Sequence, residues 1–259
     1  MKLEFKKDAL LNGINIVSKA IPSRTTMSIL ECILIDADAG EIKLTGNDME
    51  LGIETKVEGS ILERGKIALE AKLFYEIIRK LPDGDTPVTI TSDNRFNTVI
   101  ECENAVFNIQ GRDGEEFSYL PYIERDQHIS LTQFTLKEAI RQTIFSISPN
   151  DSNKMMAGEL LEVKDDFLKV VSLDGHRISI RNIQLKEHYD NHKVIVPGKT
   201  LSEISKILTG DNEKEVLIYF SKNHILFEFD DTVVVSRLID GEYFKIDHML
   251  SSDYETKVT

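Results

Sequence analysis

The stretch Gly40–Asp48 (GEIKLTGND) recurs at Asp166–Asp174 as DFLKVVSLD. Two more pairs follow in the same order: KIALEAK at Lys66–Lys72 with KVIVPGK at Lys193–Lys199, and DGEEF at Asp113–Phe117 with DGEYF at Asp240–Phe244. The offsets are 126, 127 and 127 residues, so the register holds over most of the chain. A constant offset of this length is typical of a duplicated domain and is too long for a solenoid repeat. Two such domains side by side build a curved surface.

Length and composition indicate a globular protein with two domains. The 259 residues suffice for two hydrophobic cores of ordinary size. Apolar residues make up 41% and charged residues 29% of the chain, and no apolar run approaches the length of a membrane span. The only two cysteines, Cys32 and Cys102, lie in apolar, strand-like contexts and predict buried free thiols in a reducing compartment. We therefore expect a cytoplasmic protein with no membrane partner.

Apolar residues at helical spacing predict four helices, two in each repeat. Their stripes are Leu10, Ile14, Val17 and Ile21; Leu73, Phe74, Ile77, Ile78 and Leu81; Leu136, Ile140, Ile144 and Ile147; and Leu201, Ile204, Ile207 and Leu208. Short alternating or β-branched runs between them, bounded by Gly, Asp and Asn, predict antiparallel strands. Each repeat is therefore expected to be an α+β domain with two helices packed on antiparallel sheets.

The repeat also predicts the domain organisation. We expect a first domain over residues 1–124, a second over residues 125–251, and the start of a third copy at residues 252–259. The charged, aperiodic stretch from Tyr122 to Ile129 is expected to be an extended linker between the two domains. On this interpretation the chain is a fragment of a longer protein.

Charge is unevenly distributed between the helices and the rest of the chain. The four helical stretches together carry +6, which leaves −19 for the remainder of a chain whose net charge is −13. If all four helices lie on one side, they form a weakly cationic surface that attracts nucleic acid without reading its sequence. The alternative is a solvated face of intrahelical ion pairs, as in Lys72–Glu76–Arg79 and Lys199–Glu203–Lys206, which are spaced i, i+4, i+7.

Asp174 and His176 raise the possibility of catalysis, since an acid and a histidine stand two residues apart. A nucleophile in a recognisable turn, a second histidine at metal-ligand spacing and a phosphate-binding glycine loop are all missing from the sequence. We therefore expect no enzymatic activity, no metal and no cofactor. A hydrolase built on Asp174 and His176 is the least favoured hypothesis, and turnover abolished by His176→Ala would support it.

Several motifs together resemble the bacterial sliding clamp family, the β subunit of DNA polymerase III. They are LTGNDME at Leu44–Glu50, Arg24 followed by Ile29-Leu30, FSYLP at Phe117–Pro121 and DGHR at Asp174–Arg177. The resemblance extends over the whole chain in the right order. It implies the DNA clamp fold, in which three copies of one domain form each subunit of a two-subunit ring. This chain resembles the first two copies.

The resemblance implies a processivity factor that encircles duplex DNA. By position it assigns DNA contacts to Arg24, Lys72, Asn150, Lys154, Met155 and Lys199. The remaining helix cations, Arg79, Lys137, Arg141 and Lys206, belong to the same cationic face. Such contacts should be few and independent of sequence, because a tether must slide.

The resemblance also implies an apolar groove that receives short peptides from partner proteins. Six residues match one wall of that groove: Met156, Leu173, Gly175, His176, Arg177 and Ile178. Phe244 and Met249 are expected in the far wall, although family members usually carry proline at the position of Phe244. The implied partners are the polymerase III catalytic subunit, the clamp loader, other proteins with a clamp-binding motif and, when the chain is full length, a second subunit in a head-to-tail homodimer.

A protein-interaction scaffold that never closes a ring remains the second hypothesis, because tandem α+β domains also serve that role. DNA association that survives Lys72→Glu with Lys199→Glu would favour the scaffold. Charge reversal should weaken it if the helices attract phosphate.

Overall fold

The computed structural model describes residues 1–148 and 153–250. The first repeat begins with β1 (Lys2–Phe5) and α1 (Lys7–Val17), followed by β2 (Cys32–Asp36), β3 (Lys43–Asn47), β4 (Leu51–Lys56), β5 (Gly59–Glu63) and β6 (Lys66–Glu70). It continues with α2 (Ala71–Lys80), β7 (Val88–Ser92), β8 (Asn97–Cys102), β9 (Ala105–Gln110) and the short β10 (Arg112–Asp113).

The second repeat has the same order with fewer, longer strands. It contains β11 (His128–Thr132), α3 (Gln133–Thr143), β12 (Gly158–Leu173), β13 (Ile178–Pro197), α4 (Gly198–Ile207), β14 (Glu215–Phe220), β15 (His224–Phe229) and β16 (Thr232–Arg237). β12 spans the positions of β2 and β3, and β13 spans those of β4, β5 and β6. The β12–β13 pairing has two register shifts between Val163 and Phe167, at the place where the first repeat has a break between β2 and β3.

A nine-stranded antiparallel sheet joins the two repeats. Its strand order is β10-β6-β2-β3-β4-β16-β15-β14-β11, and the junction is the pair β4 and β16, with register from Leu51↔Ser236 to Thr55↔Thr232. The hydroxyls of Thr55 and Thr232 lie 2.8 Å apart in the buried junction. A five-stranded sheet, β5-β1-β7-β8-β9, and the β12–β13 hairpin complete the structure.

All four helices pack on the same face of the nine-stranded sheet. Leu10, Phe74, Leu136 and Leu201, one from each helix, belong to a single core cluster that spans both repeats. The sheet contributes alternate residues to that cluster, such as Ile33 and Ile35 of β2 and Ile225 and Phe227 of β15. Since side chains alternate between the two faces of a strand, the helices of both domains share one side.

The segment between the repeats crosses the opposite face of this sheet. Phe117 packs with the outward residues Cys32, Leu34 and Ala68, and Ile123 packs with Tyr219, Leu226 and Val235. The linker is extended as predicted, but its last two residues belong to β11, which begins at His128. It is held by apolar contacts, and this leaves the helix side uncovered.

Most elements agree with the sequence predictions. The four helices and the strands are present within a few residues of the expected positions, and Cys32 and Cys102 are buried free thiols. The prediction that Leu73 belongs to the buried stripe of α2 is wrong. Leu73 is 44% exposed, because α2 packs on the core through Phe74, Ile77 and Ile78. The domain boundary between residues 124 and 125 stays a prediction, and residues 252–259 lie outside the described residues.

We expect Gly46→Ala to destabilise the fold. A Cβ atom at Gly46 of β3 would lie 2.3 Å from the Val17 carbonyl oxygen, which belongs to the backbone at the end of α1. Overpacking of this kind costs on the order of 1–3 kcal/mol, because the helix must move away from the sheet. Urea unfolding monitored by circular dichroism measures the loss. Gly84→Ala is the control, since its Cβ would meet only the Glu103 side chain at 3.5 Å, and equal midpoints for both variants would contradict the prediction.

Candidate functional site

The four helices form one row across the boundary between the repeats. α1 contacts α2, and α3 contacts α4. A cleft of about 410 Å³ lies at the boundary, bordered by Asn12, Asn15 and Lys19 on the α1 side and by Lys206 and Ile207 of α4. The order across the face is therefore α2, α1, α4, α3, and the exposed polar sides of all four helices point the same way.

Three of the predicted DNA-contacting cations are paired with acids on their own helices. Arg79 lies 2.7 Å from Glu76, Arg141 makes two bonds to Glu138 at 2.9 and 2.7 Å, and Lys206 lies 2.7 Å from Glu203. These pairs have i, i+3 spacing, and in the two predicted triads the acid pairs with Arg79 and Lys206 and not with Lys72 or Lys199. The local ion-pair alternative is thus correct for these three residues, and their net contribution to the surface charge is reduced.

Two other predicted DNA contacts have structural partners. Lys199, at the start of α4, forms a salt bridge with Asp48 of the first repeat and so ties the two domains together. Lys137 donates to the Leu208 carbonyl at the end of α4, with a distance of 2.7 Å. Lys7 plays the same part in the first repeat, where it donates to the Leu81 carbonyl at 2.6 Å. Lys137 therefore caps a helix, which reduces its freedom to follow a ligand.

Arg24, Lys72 and Lys154 are the predicted cations that keep their charge free. All three side chains are exposed, and none of them forms an ion pair within the described part of the chain. Lys19 of the first repeat, which the family resemblance does not single out, adds positive charge at the boundary cleft. Asn150 lies outside the described residues, so its predicted contact stays a prediction.

Four of the eight predicted groove residues, Met156, Leu173, Ile178 and Phe244, belong to one apolar cluster of the second repeat, which we call the groove cluster. It comprises the buried residues Leu160, Val171, Leu173, Ile195, Tyr243 and Ile246, with the partly buried Met155, Met156, Ile178, Ile239 and Phe244 packed against them. The cluster uses the alternate residues of β12 that face away from the helices, because Leu161 and Val170 belong to the helix-side core. It therefore occupies the outer side of the domain.

Three predicted site residues differ from their expected positions. Met155 packs in the groove cluster and against Gly241, which does not favour a DNA contact for its side chain. Leu173 is fully buried and so lies beneath the groove, out of reach of a ligand. Met249 is 46% exposed and lies outside the cluster, to which the neighbouring segment contributes Phe244, Tyr243 and Ile246. A sequence pattern could not separate these cases: Met155 and Met249 have no helical or alternating context, and for Leu173 the alternation of β12 fixes the face of the strand but not the depth of burial.

The turn Asp174–Arg177 forms the polar edge of the groove. One Asp174 carboxylate oxygen accepts from the His176 and Arg177 backbone N–H groups at 3.1 and 3.2 Å, and the other accepts from the Arg177 side chain at 2.8 Å. These hydrogen bonds hold the pKa of Asp174 below its usual range, and the bond from the His176 backbone N–H has the largest effect. Gly175 has φ +85°, which suits glycine. The Arg177 guanidinium lies 5.5 Å from the centre of the Phe145 ring.

This turn does not support catalysis. Asp174 bonds the His176 backbone N–H and not its imidazole ring, so no acid–histidine pair with a catalytic arrangement is formed. Over residues 1–148 and 153–250, no group of three or more His, Cys, Asp and Glu side chains could hold a metal ion. No helix in that part of the chain is long and apolar enough to cross a membrane.

A carboxyl group is buried next to the groove cluster. Glu159 of β12 is 0% exposed, and one of its oxygens has no hydrogen-bond partner among the described residues. Its other oxygen lies 3.1 Å from the Thr143 hydroxyl, which also lies 2.9 Å from the Ala139 carbonyl oxygen. Burial raises the pKa of Glu159 to about 8. A protonated Glu159 can donate to Thr143 while Thr143 donates to Ala139, so the neutral form fits the site.

We expect Glu159 to make stability depend on pH. Its folded-state pKa of about 8 exceeds the ordinary value of 4.5, so folding is favoured at low pH and the advantage is lost as pH rises toward 8. At pH 7 the loss is on the order of 3 kcal/mol, because a tenfold change in proton affinity corresponds to about 1.4 kcal/mol. Glu159→Gln should remove most of this dependence, and urea unfolding between pH 5 and 8 tests it. Glu162→Gln on the same strand is the control, and parallel curves for Glu159→Gln and the unmodified protein would refute the prediction.

Comparison with known proteins agrees with this geometry. Residues 1–121 match the family model for the DNA polymerase III beta subunit, N-terminal domain, and residues 130–245 match that for its central domain. A protein of Staphylococcus epidermidis named Beta sliding clamp is 35% identical over 266 residues, which cover 100% of this chain and 70% of the relative.

Solved structures give the same result. A putative DNA polymerase III beta subunit from Eubacterium rectale superposes with a TM-score of 0.95 at 66% identity, over 98% of this chain and 69% of the other. The DNA polymerase sliding clamp from Bacillus subtilis gives a TM-score of 0.93 at 34% identity, over 98% of this chain and 68% of the other.

The tandem α+β domains with their helices on one face therefore have the fold of a sliding clamp. The chain belongs to the DNA polymerase III beta subunit family, the beta sliding clamps, and it spans about 70% of the length of its curated relatives.

Proposed function

We propose that this chain acts as a non-catalytic processivity factor that surrounds duplex DNA with its helix face inward. The observation that supports this most directly is that the four helices of both repeats, which together with their flanking residues carry +6, lie in one row on one face of a continuous sheet. Acidic residues are concentrated elsewhere in a chain of net charge −13. This arrangement favours the approach of a polyanion to the helix side.

The balance of free and paired cations suits sliding. Arg24, Lys72 and Lys154 are free to reach phosphates, while Arg79, Arg141 and Lys206 are partly neutralised by neighbouring carboxylates. Few strong contacts mean weak, sequence-independent attraction, because affinity for DNA scales with the number of phosphates neutralised. Retention on DNA would then depend on encirclement.

Two unpaired strand edges support closure with further copies of the domain. β9 holds the place in the first repeat that β16 holds in the second, and it exposes Val106 and Phe107 at the edge of the five-stranded sheet. The part of β13 at Ile178–Ile183 corresponds to β4 and pairs only with β12 in the described structure. β4 and β16 show how such edges join. A third domain copy would use both edges in a head-to-tail homodimer.

The groove cluster is the proposed docking site for partner peptides. Met155 and Met156 supply flexible apolar surface, which accommodates several sequences, and the Asp174–Arg177 turn provides a polar edge. Peptides of the polymerase catalytic subunit, the clamp loader and other clamp-binding proteins are the expected ligands.

Charge reversal on the helix face should weaken DNA binding. We expect Arg24→Glu with Lys72→Glu to lower the affinity for a short duplex at least tenfold at low salt, and to flatten the salt dependence, because two free cations are removed. Fluorescence anisotropy at about 50 and 200 mM salt measures both effects. Arg125→Glu is the control, since Arg125 pairs with Glu228 on the opposite face of the sheet. Unchanged DNA binding by the double variant would favour the non-ring scaffold.

A charge in the groove should abolish peptide docking. We expect Ile178→Asp to weaken binding of a leucine- and phenylalanine-rich peptide more than about tenfold, because a carboxylate would be placed in the apolar cluster. Ile180→Asp is the matched control, as Ile180 is on the same strand but 37% exposed and outside the cluster. Isothermal calorimetry compares the two variants, and equal affinities would exclude this groove.

A further inference from the structure

A second concave surface adjoins the groove cluster. The cleft has a volume of about 610 Å³ and is bordered by Lys193–Ile195 of β13, by the turn at Lys222 and Asn223, and by the segment Arg237–Lys245. Leu160, Ile195 and Tyr243 belong both to its wall and to the groove cluster. The cleft and the groove cluster therefore adjoin each other and share part of one wall.

The cleft is cationic in an acidic protein. Four cations line it, Lys193, Lys222, Arg237 and Lys245, against two acids, Asp240 and Glu242. The Lys193 Nζ atom lies 3.8 Å from a carboxylate oxygen of Glu162. Over the residues that the structure describes, the other three cations form no ion pair. The cleft thus offers a concentration of uncompensated positive charge.

The first repeat provides an internal comparison at an offset of 127 residues. There Lys66 holds the place of Lys193, and it is enclosed by Glu115 at 3.1 Å, the Tyr119 hydroxyl at 3.0 Å and two more carboxylates, those of Asp36 and Asp38. The Lys66 side chain is 18% exposed, whereas that of Lys193 is 56% exposed. In the first repeat, the charge of Lys66 is therefore neutralised by neighbouring side chains, whereas in the second repeat Lys193 remains largely exposed.

At other positions of the cleft, too, the second repeat has cations where the first repeat has uncharged residues. Gln110 and Ser118 of the first repeat correspond to Arg237 and Lys245 of the second. Ile246 corresponds to Tyr119, so the hydroxyl that holds Lys66 has no counterpart. The two domains share one fold, so this change in charge is not a requirement of folding.

We propose that this cleft binds an acidic segment that flanks the apolar anchor of a partner peptide. The inference rests on the proposed peptide-binding function of the groove. Charge complementarity favours carboxylates, and the shared wall favours a ligand that continues from the groove. The cleft is on the face opposite the helices, so a duplex on the helix face does not reach it.

The test uses two synthetic peptides with the same leucine- and phenylalanine-rich half and a flank of either Asp-Asp-Glu or Asn-Asn-Gln, placed at each end in turn. We expect the acidic flank to tighten binding about fivefold at 50 mM salt and to lose this advantage at 300 mM, as exposed ion pairs do. Lys222→Glu with Lys245→Glu should abolish or invert the preference while leaving the neutral-flank peptide unaffected. Arg95→Glu, at the position of Lys222 in the first repeat, is the matched control.

The outcomes separate this inference from the groove itself. Equal affinity of the acidic and neutral peptides for the unmodified protein overturns the inference and leaves the groove proposal intact. A preference that persists in the double variant also overturns it, since the flank would then bind elsewhere. Binding of neither peptide overturns the groove proposal and this inference together.

Discussion

The pairing of β4 with β16 is the contact on which the architecture depends. It merges the outer sheets of two domains into one sheet of nine strands, and the buried Thr55–Thr232 hydroxyl contact lies at the junction. Because alternate residues of a strand face opposite sides, one continuous sheet orients both domains at once. The helices of each repeat must then lie on the same side, and the linker with Phe117 and Ile123 occupies the other. A cationic surface shared by two domains follows from this single strand pairing.

On the proposed function, the helix face attracts DNA and still releases it. Salt bridges on the helices hold most cations in fixed positions, and the Arg79 side chain keeps the pKa of Glu76 below its usual range. Such exposed pairs contribute little to stability, but they reduce the net field. Lys199 connects the domains through Asp48, so part of the positive charge serves the fold. The remaining free cations would give the weak attraction that the proposed mobile tether requires.

The two repeats have kept one fold and acquired different outer surfaces. Asp48 and Asp174 occupy the same turn, in which each accepts backbone N–H bonds from the residues that follow. Asp48 then reaches Lys199 across the domain boundary, whereas Asp174 reaches Arg177 at the edge of the groove. Phe117 and Phe244 are also equivalent. Phe117 is buried against Cys32, Leu34 and Ala68, whereas Phe244 is only partly buried in the cluster that contains Met155 and Met156, at the proposed docking site.

The amino-acid order was sufficient to predict the tandem repeat, the four helices, most strands and the family, because offsets and periodicities are local patterns. It also indicated the excess of positive charge on the helices. Only the tertiary structure decided which cations are free, since Lys137 meets a carbonyl 71 residues away and Lys199 meets an acid 151 residues away. It likewise separated Leu173, buried beneath the groove, from Met249, which lies outside it. Contacts between distant segments depend on packing in three dimensions, and sequence periodicity carries no information about them.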